Sequence, residues 1–304
     1  MKKTYTILLL LLLTTLTYGK TPKADRLYNN WEYFEAAKLY QDEVKSNPSA
    51  EVYYKLGLCY MKMNCYKNEE KAAFDQVNSY GNFNKPEFYL YYGQVLRSTG
   101  NYAQAKIAFD KYSALVPSDK SGKFFSNSLA IATEDHYWDE KITTSNISML
   151  NTEEADFSPV IYKDGIVFTT SRKTTGHPKI YPWTGNNYLD LYYAKRGNND
   201  TTFTEIEAFG GKDIVKKYHD GPASFSKNFD TIFTSRVEKD LKGEEKKSLN
   251  IERNKIYSAT MENNSWSEPI PFPYNSKLYS VAHPFITKDG SRLYFVSNMP
   301  GGFG

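Results

Sequence analysis

Residues able to carry acid–base, nucleophilic or metal chemistry are few in this sequence and poorly grouped. The four histidines, His136, His177, His219 and His283, are scattered without metal-ligand spacing. The chain lacks a G-x-S-x-G elbow, a phosphate-cradling glycine loop and an H-E-x-x-H pair. His219 and His283 both stand just before a proline, Pro222 and Pro284, which predicts one recurring structural place beside a strand start. The aspartates of Asp164-Gly165 and Asp289-Gly290 read as turn-capping groups, since no loop shows the dense ladder of acids that calcium requires. Cys59 and Cys65, six residues apart, are read as two ordinary thiols across a predicted helix–helix turn. The expectation is a non-catalytic protein with no metal and no cofactor.

What remains for these elements to position is contact surface. Tyrosine is over-used, at 26 copies in 304 residues, as in strand-rich folds and aromatic-packed helical repeats. Lys and Arg outnumber Asp and Glu by 38 to 35, a balance with no case for a nucleic-acid partner. The first nineteen residues, with "MKK", "ILLLLLL" and small residues at Thr17 and Gly19, have the layout of a cleaved export signal. With no Cys at that boundary and no later apolar span, an exported, soluble mature protein is expected.

Residues 20–140 read as helices. Gly93, Ala105, Phe109 and Pro117 are separated by twelve, four and eight residues, and so are Ala24, Ala36, Tyr40 and Pro48. A weaker copy starts at Gly57, with Glu69, Ala73 and Gly81 in the equivalent places. Small residues let two antiparallel helices approach, and the aromatic four residues on fills the space beside them. A run from Ser121 to about Tyr137 reads as a closing helix. This pattern resembles the tetratricopeptide repeat family. In that family the first helices line a concave groove that holds a peptide or a partner helix. The resemblance implies that Tyr28, Asn29, Tyr54, Lys62, Gln94 and Arg97, read as lying away from the packing stripe, form such a groove.

After a linker over residues 141–154 the period changes to short alternating runs. Pro159, Pro222 and Pro284 are 63 and 62 residues apart. Each is followed by a turn (Asp164-Gly165, Lys227 to Asp230, Asp289-Gly290), then by a strand closing on Ser171-Arg172, Ser235-Arg236 or Ser297-Asn298. Gly is expected to supply the positive φ of the tight turns. "DLYYAK" and "KIYSAT" give third strands, "FTEIEAF" and "WSEPIPF" fourth strands. Four strands per repeat predict β-propeller blades over residues 155–304, two full and one partial. The insertions "KTTGHPKIYPWTGNN" and "VEKDLKGEEKKSLNIERN" lengthen the blades; the second, a charge run, reads as a solvated loop.

The phrases "SPVIYKDG" and "HPFITKDGSRLYFVSN" resemble the repeats of TolB-like periplasmic proteins. Export signal, tetratricopeptide repeats and such blades, in that order, are similar to OmpA-family envelope proteins of Bacteroidetes-type bacteria, including PorE-like type IX secretion components. That resemblance implies an N-terminal portion of a longer protein at the outer membrane, reaching peptidoglycan through an OmpA-like domain outside these residues. It implies partners among envelope, secretion or motility proteins. Two other readings stay open: the front end of an exported propeller-containing peptidase, and a glycan-binding propeller using Trp183 and Tyr188.

Overall fold

The computed structural model describes residues 21–64, 67–81, 83–133, 144–173, 180–199, 202–214, 216, 218–238 and 252–302. The residues read as an export signal, Cys65, His136, His177 and most of the second insertion lie outside them. The chain divides into a helical unit, residues 1–142 with Pro182–Gly185, and a sheet unit formed by the remainder.

The helical unit holds three antiparallel hairpins and a closing helix: α1 (Thr21–Asn29) with α2 (Tyr33–Ser46), α3 (Ala50–Met63) with α4 (Lys67–Ser79), α5 (Glu87–Ser98) with α6 (Tyr102–Leu115), then α7 (Ser121–Thr133) against α6. Local chemistry marks the boundaries. Ser49 caps α3 by accepting a hydrogen bond from the Val52 N–H at 3.3 Å, and Asn64 ends it in the left-handed region at φ 56°.

Inside each hairpin the small and aromatic residues meet as their spacing demands. A Cβ added at Gly93 would lie 2.5 Å from the Phe109 ring, and one at Gly57 would lie 2.3 Å from Phe74. The weak middle copy is thus shifted by one. Phe74, and not Ala73, fills the place beside Gly57, because α3 runs six residues past its Gly where α5 runs five. The same shift puts Glu70 in the position of Ala36 and Ala105. Glu70 is 8% exposed, and burial pushes its carboxyl up to about 7 against the weaker pull of Lys67. Glu69 faces solvent.

The residue after each aromatic reaches the next hairpin. Gln41 Nε2 donates to the Tyr60 hydroxyl at 2.5 Å. Tyr92 donates to Asp75 at 2.7 Å, and Ser126 to Asp110 at 2.7 Å. The apolar contact closes each hairpin, and side-chain hydrogen bonds set it against its successor, with Lys55 to Asp25 and Lys85 to Glu51 adding to the repeated ones. Such a bond contributes about 1 kcal/mol, more when one partner is charged.

The sheet unit has three antiparallel sheets in chain order. Sheet 1 runs β1 (Asp156–Tyr162), β2 (Gly165–Thr170), β3 (Asp190–Arg196), β4 (Phe203–Ala208). The short helix α8 (Gly211–Ile214) leads to sheet 2, β5 (Asp220–Phe225), β6 (Thr231–Glu238) and β7 (Arg253–Glu262). Its fourth strand is broken into β8 (Ser265–Trp266) and β9 (Ile270–Pro271), both paired with β7. Sheet 3 is β10 (Val281–Ile286) with β11 (Leu293–Ser297). The first strand of each later sheet packs across the sheet before it: β5 on β1, β2 and β3, and β10 on β5, β6 and β7. Ile147 and Leu150, from the stretch read as a linker, close over Phe168 and Tyr192 of sheet 1.

The proline of each repeat marks a β-bulge. Ser158, Gly221 and His283, each directly before it, all have positive φ (51°, 105° and 54°), and the strand register shifts there in every sheet. His283 therefore shares a place with Gly221 and Ser158, and the expected equivalence with His219 fails: His219 lies ahead of β5, two residues farther from its proline. The turn expectation also needs correction. In sheet 1 the positive φ belongs to Lys163 at 49°, whereas Gly165 is required because a Cβ there would lie 2.2 Å from the Ala194 carbonyl oxygen. Gly290 does hold the left-handed conformation, at φ 71°.

Two of the closing Ser-Arg phrases end in ion pairs. Arg172 Nη2 lies 2.7 Å from Asp156 and donates to the Leu150 carbonyl at 2.6 Å. Arg236 lies 3.0 Å from Asp220 and donates to the Ile214 carbonyl at 2.7 Å. Each carboxylate precedes its arginine by sixteen residues. At the same separation the third repeat has Ala282 and Asn298, so charge is lost from both positions together.

Candidate functional site

Tyr28 on α1, Tyr54 on α3 and Tyr91 on α5 lie within electrostatic reach of one another, a row across the first helices of all three hairpins. Burial pushes the Tyr28 phenol up to about 12, reinforced by Tyr33, Cys59 and Tyr91. Burial likewise raises Tyr54, with Tyr91, Glu87 and Tyr28 adding to the effect. These hydroxyls are neutral at physiological pH and offer both donor and acceptor capacity. Tyr28 packs edge-on to Tyr33, with ring centroids 5.2 Å apart.

One of the six groove residues is misplaced by the sequence reading. Tyr54 is 6% exposed and sits in the packing stripe among Phe74, Phe83 and Phe88. A tyrosine at a core-facing helical position is indistinguishable by residue type from one on the open face. Tyr28 is half-buried, and Asn29 and Lys62 are exposed in the last turns of α1 and α3. Gln94 is half-buried on α5. Arg97 turns toward α7, its guanidinium 4.9 Å from the centroid of Phe125.

Tyr91 was missed. It stands two residues before Gly93 and off the buried stripe of Phe88, Tyr89, Gly93, Val95 and Leu96, the signal that could have found it.

The segment Pro182–Gly185 belongs to the helical unit and closes one end of this surface. Trp183 packs edge-on against Tyr33 at 5.1 Å, and its Nε1–H donates to the Lys62 carbonyl at 2.7 Å. Tyr33 thus joins Tyr28 to Trp183, and Trp183 joins both to Lys62. Asn29, Gln94 and Arg97 lie on the same first helices without entering that chain of contacts. Tyr28, Tyr91 and the rim can hydrogen-bond an extended backbone and stack on apolar side chains. Two charged pairs stand beside it: Lys55 with Asp25 at 2.7 Å, and Lys85 with Glu51 at 2.7 Å.

Elsewhere several ionisable groups are buried within the sheet unit. His219 Nδ1 accepts the Leu189 N–H at 3.1 Å, and burial pulls the imidazole down to about 4, so it is neutral. Burial pushes Asp220 up to about 6 in spite of Arg236. Asp190 also rises to about 6, through burial and the charge of Asp220. Asp156 goes the other way: burial opposes ionisation, but hydrogen bonds from Thr170, Arg172 and Thr152 outweigh it. Tyr188 packs against Tyr181 and His219. Cys59 is fully buried, its thiol raised by burial; Cys65 is outside the described residues. Among the described residues no group of three His, Cys, Asp or Glu is placed to hold a metal ion, and no helix is long and apolar enough to cross a membrane.

No family model matches the chain, and no curated protein matches it. Solved structures do, over the helical part. The TPR domain of Arabidopsis OM64 is 19% identical, covering 36% of this chain and 90% of that one at a TM-score of 0.33. The Yersinia enterocolitica type III secretion chaperone SycD, in complex with a peptide of the translocator YopD, is 15% identical over 38% of this chain and 92% of its own, at 0.33. PcrH, in complex with the chaperone-binding region of PopD, is 14% identical over 37% and 84%, at 0.29.

Proposed function

We propose that the chain is a non-catalytic protein-interaction scaffold of the cell envelope. Its helical groove holds an extended segment of a partner protein, and its sheets are blades of a TolB-like propeller. The observation that carries this reading is the half-buried pair Tyr28 and Tyr91, on the first helices of the first and third hairpins, beside exposed Asn29 and Lys62. Repeated small interfaces of this kind make a curved stack whose first helices present a continuous face to a peptide. The export signal, the order of modules and the TolB-like phrases support placement in the periplasm at the outer membrane. In this reading the partners are outer-membrane, secretion or motility components. Peptidoglycan is reached through an OmpA-like domain beyond these residues.

Photo-crosslinking in the producing cell tests the groove. A photoreactive residue at Asn29 or Lys62 should trap one envelope protein that the same residue at Ile107, 68% exposed on α6, does not. Equal capture from all three positions, or capture only from Ile107, rejects the groove. Envelope fractionation with an antibody to residues 24–138 tests the location: the protein should appear in the membrane or peptidoglycan fraction, and a wholly soluble cytoplasmic pool rejects it.

A further inference from the structure

The α1–α2 corner of the helical unit is built like a binding site. Trp31, in the turn between the two helices, holds a left-handed conformation at φ 64° and keeps 51% of its surface exposed. For a bulky side chain that conformation is strained, and strain of this kind clusters at ligand clamps. Behind Trp31, Tyr33 and Phe34 open α2, whose N-cap, Glu32, makes no side-chain capping bond. The Phe34 N–H is one of the donors that a helix cannot satisfy within itself. The Lys62 carbonyl, in the last turn of α3, is one of the acceptors left at the other kind of helix end.

The chain's own segment Pro182–Gly185, part of the helical unit, meets each of these features. The Pro182 carbonyl accepts the Phe34 N–H at 3.4 Å, and Trp183 Nε1–H donates to the Lys62 carbonyl at 2.7 Å. The Trp183 ring stands edge-on to Tyr33 at 5.1 Å and tilted against Trp31 at 6.2 Å. Gly185 lies against the Phe34 ring at φ 81°, where a Cβ would come within 2.4 Å of it. The stem of the segment is closed by the Tyr181 N–H donating to the Asn186 carbonyl at 2.7 Å and by the Ile180–Asn187 bridge. The four residues are thus presented as a preformed turn, which lowers the ordering cost of docking it.

We infer that this corner is a peptide-binding site that reads a Pro-Trp-x-Gly turn, and that Pro182–Gly185 occupies it as a built-in ligand, closing it to the same turn in another polypeptide. The indole ring supplies the apolar contact, and the two backbone bonds fix its depth and direction. Because the ligand belongs to the same chain, it competes at an effective concentration on the order of 1 mM. The corner uses neither Tyr91 nor the partner segment assigned to the groove, so either site can fail alone.

The test uses the 304-residue chain and a fluorescein-labelled peptide with the sequence of residues 180–188, read by fluorescence anisotropy. The parent chain should bind the peptide weakly, since its own turn fills the corner. Trp183→Ala, which removes the anchor, should bind it at least about tenfold more tightly. Gly185→Val puts a branched side chain against Phe34 at a positive φ and should open the corner by a different route. A peptide with alanine in place of its tryptophan should bind neither variant. Trp31→Ala, added to Trp183→Ala, should weaken peptide binding about fivefold, the size of one lost aromatic contact. The inference is overturned if both variants bind the peptide no better than the parent does. It is also overturned if the alanine peptide binds them equally well, or if Trp31→Ala leaves the affinity unchanged.

Discussion

The helical and sheet units both repeat, but they join their repeats by different physics. In the helical unit each hairpin closes on an apolar contact, and a few polar side chains tie it to the next, among them Gln41, Asp75 and Asp110 in equivalent places. The ties lie near the surface, where water can replace a lost partner. In the sheet unit Asp220 and Arg236 are 0% and 5% exposed, and the pair is as much a liability as a support. The lesson is that the two stacks tolerate imperfect copies differently. The helical stack absorbs a one-residue slip and a buried Glu70 in its middle hairpin. The third sheet keeps no charge at either of the paired positions.

The largest effect should come from breaking the buried pair by halves. Asp220→Asn leaves Arg236 without a counter-ion and should cost the sheet unit about 3–5 kcal/mol in urea unfolding. Asp220→Ala with Arg236→Asn, the combination of the third repeat, should recover most of that loss; a double variant no better than the single one would show that the charge is not the issue. Asp156→Asn should cost less, because Arg172 keeps 15% of its side chain in water.

The next effect is in the helical unit and depends on pH. The Glu70 carboxyl is raised from 4.5 to about 7 by burial. Its contribution is therefore fully present below about 4.5 and lost as pH rises through about 7. Glu70→Ala, which restores the residue of the other hairpins, should stabilise this unit by about 1–2 kcal/mol at pH 8 and much less at pH 5. An equal gain at both pH values would place the benefit in helix propensity.

A smaller loss, about 1 kcal/mol, is expected for Asp75→Ala, which removes one tie while leaving Phe74 in place. A loss as large as that of the Asp220 variant would erase the distinction between the two stacks. Asn29→Ala and Lys62→Ala should stay within about 0.5 kcal/mol of the parent in thermal melts while weakening partner capture.

Much of this architecture was legible from residue spacing. The 12-4-8 separations located the first and third hairpins, and the recurring prolines located the sheets, because helices and strands impose fixed periods on what they bury. The weak copy was misread by one residue: Ala73 and Phe74 are adjacent, and only the length of α3 decides which one meets Gly57. Likewise Tyr54 and Tyr91 are both tyrosines on first helices, and only packing shows that one belongs to the core and the other to the open row.

The sequence by itself determined that helical hairpins precede antiparallel sheets and where the repeats begin. The tertiary structure alone decided that Gln41, Asp75 and Asp110 play one role, that Ser158, Gly221 and His283 occupy one bulge, and that Asp156 and Asp220 each close on the arginine sixteen residues on. The division has a physical cause. Periodicity records which side of its own helix or strand a residue occupies, whereas these three facts depend on what a neighbouring element brings to that side.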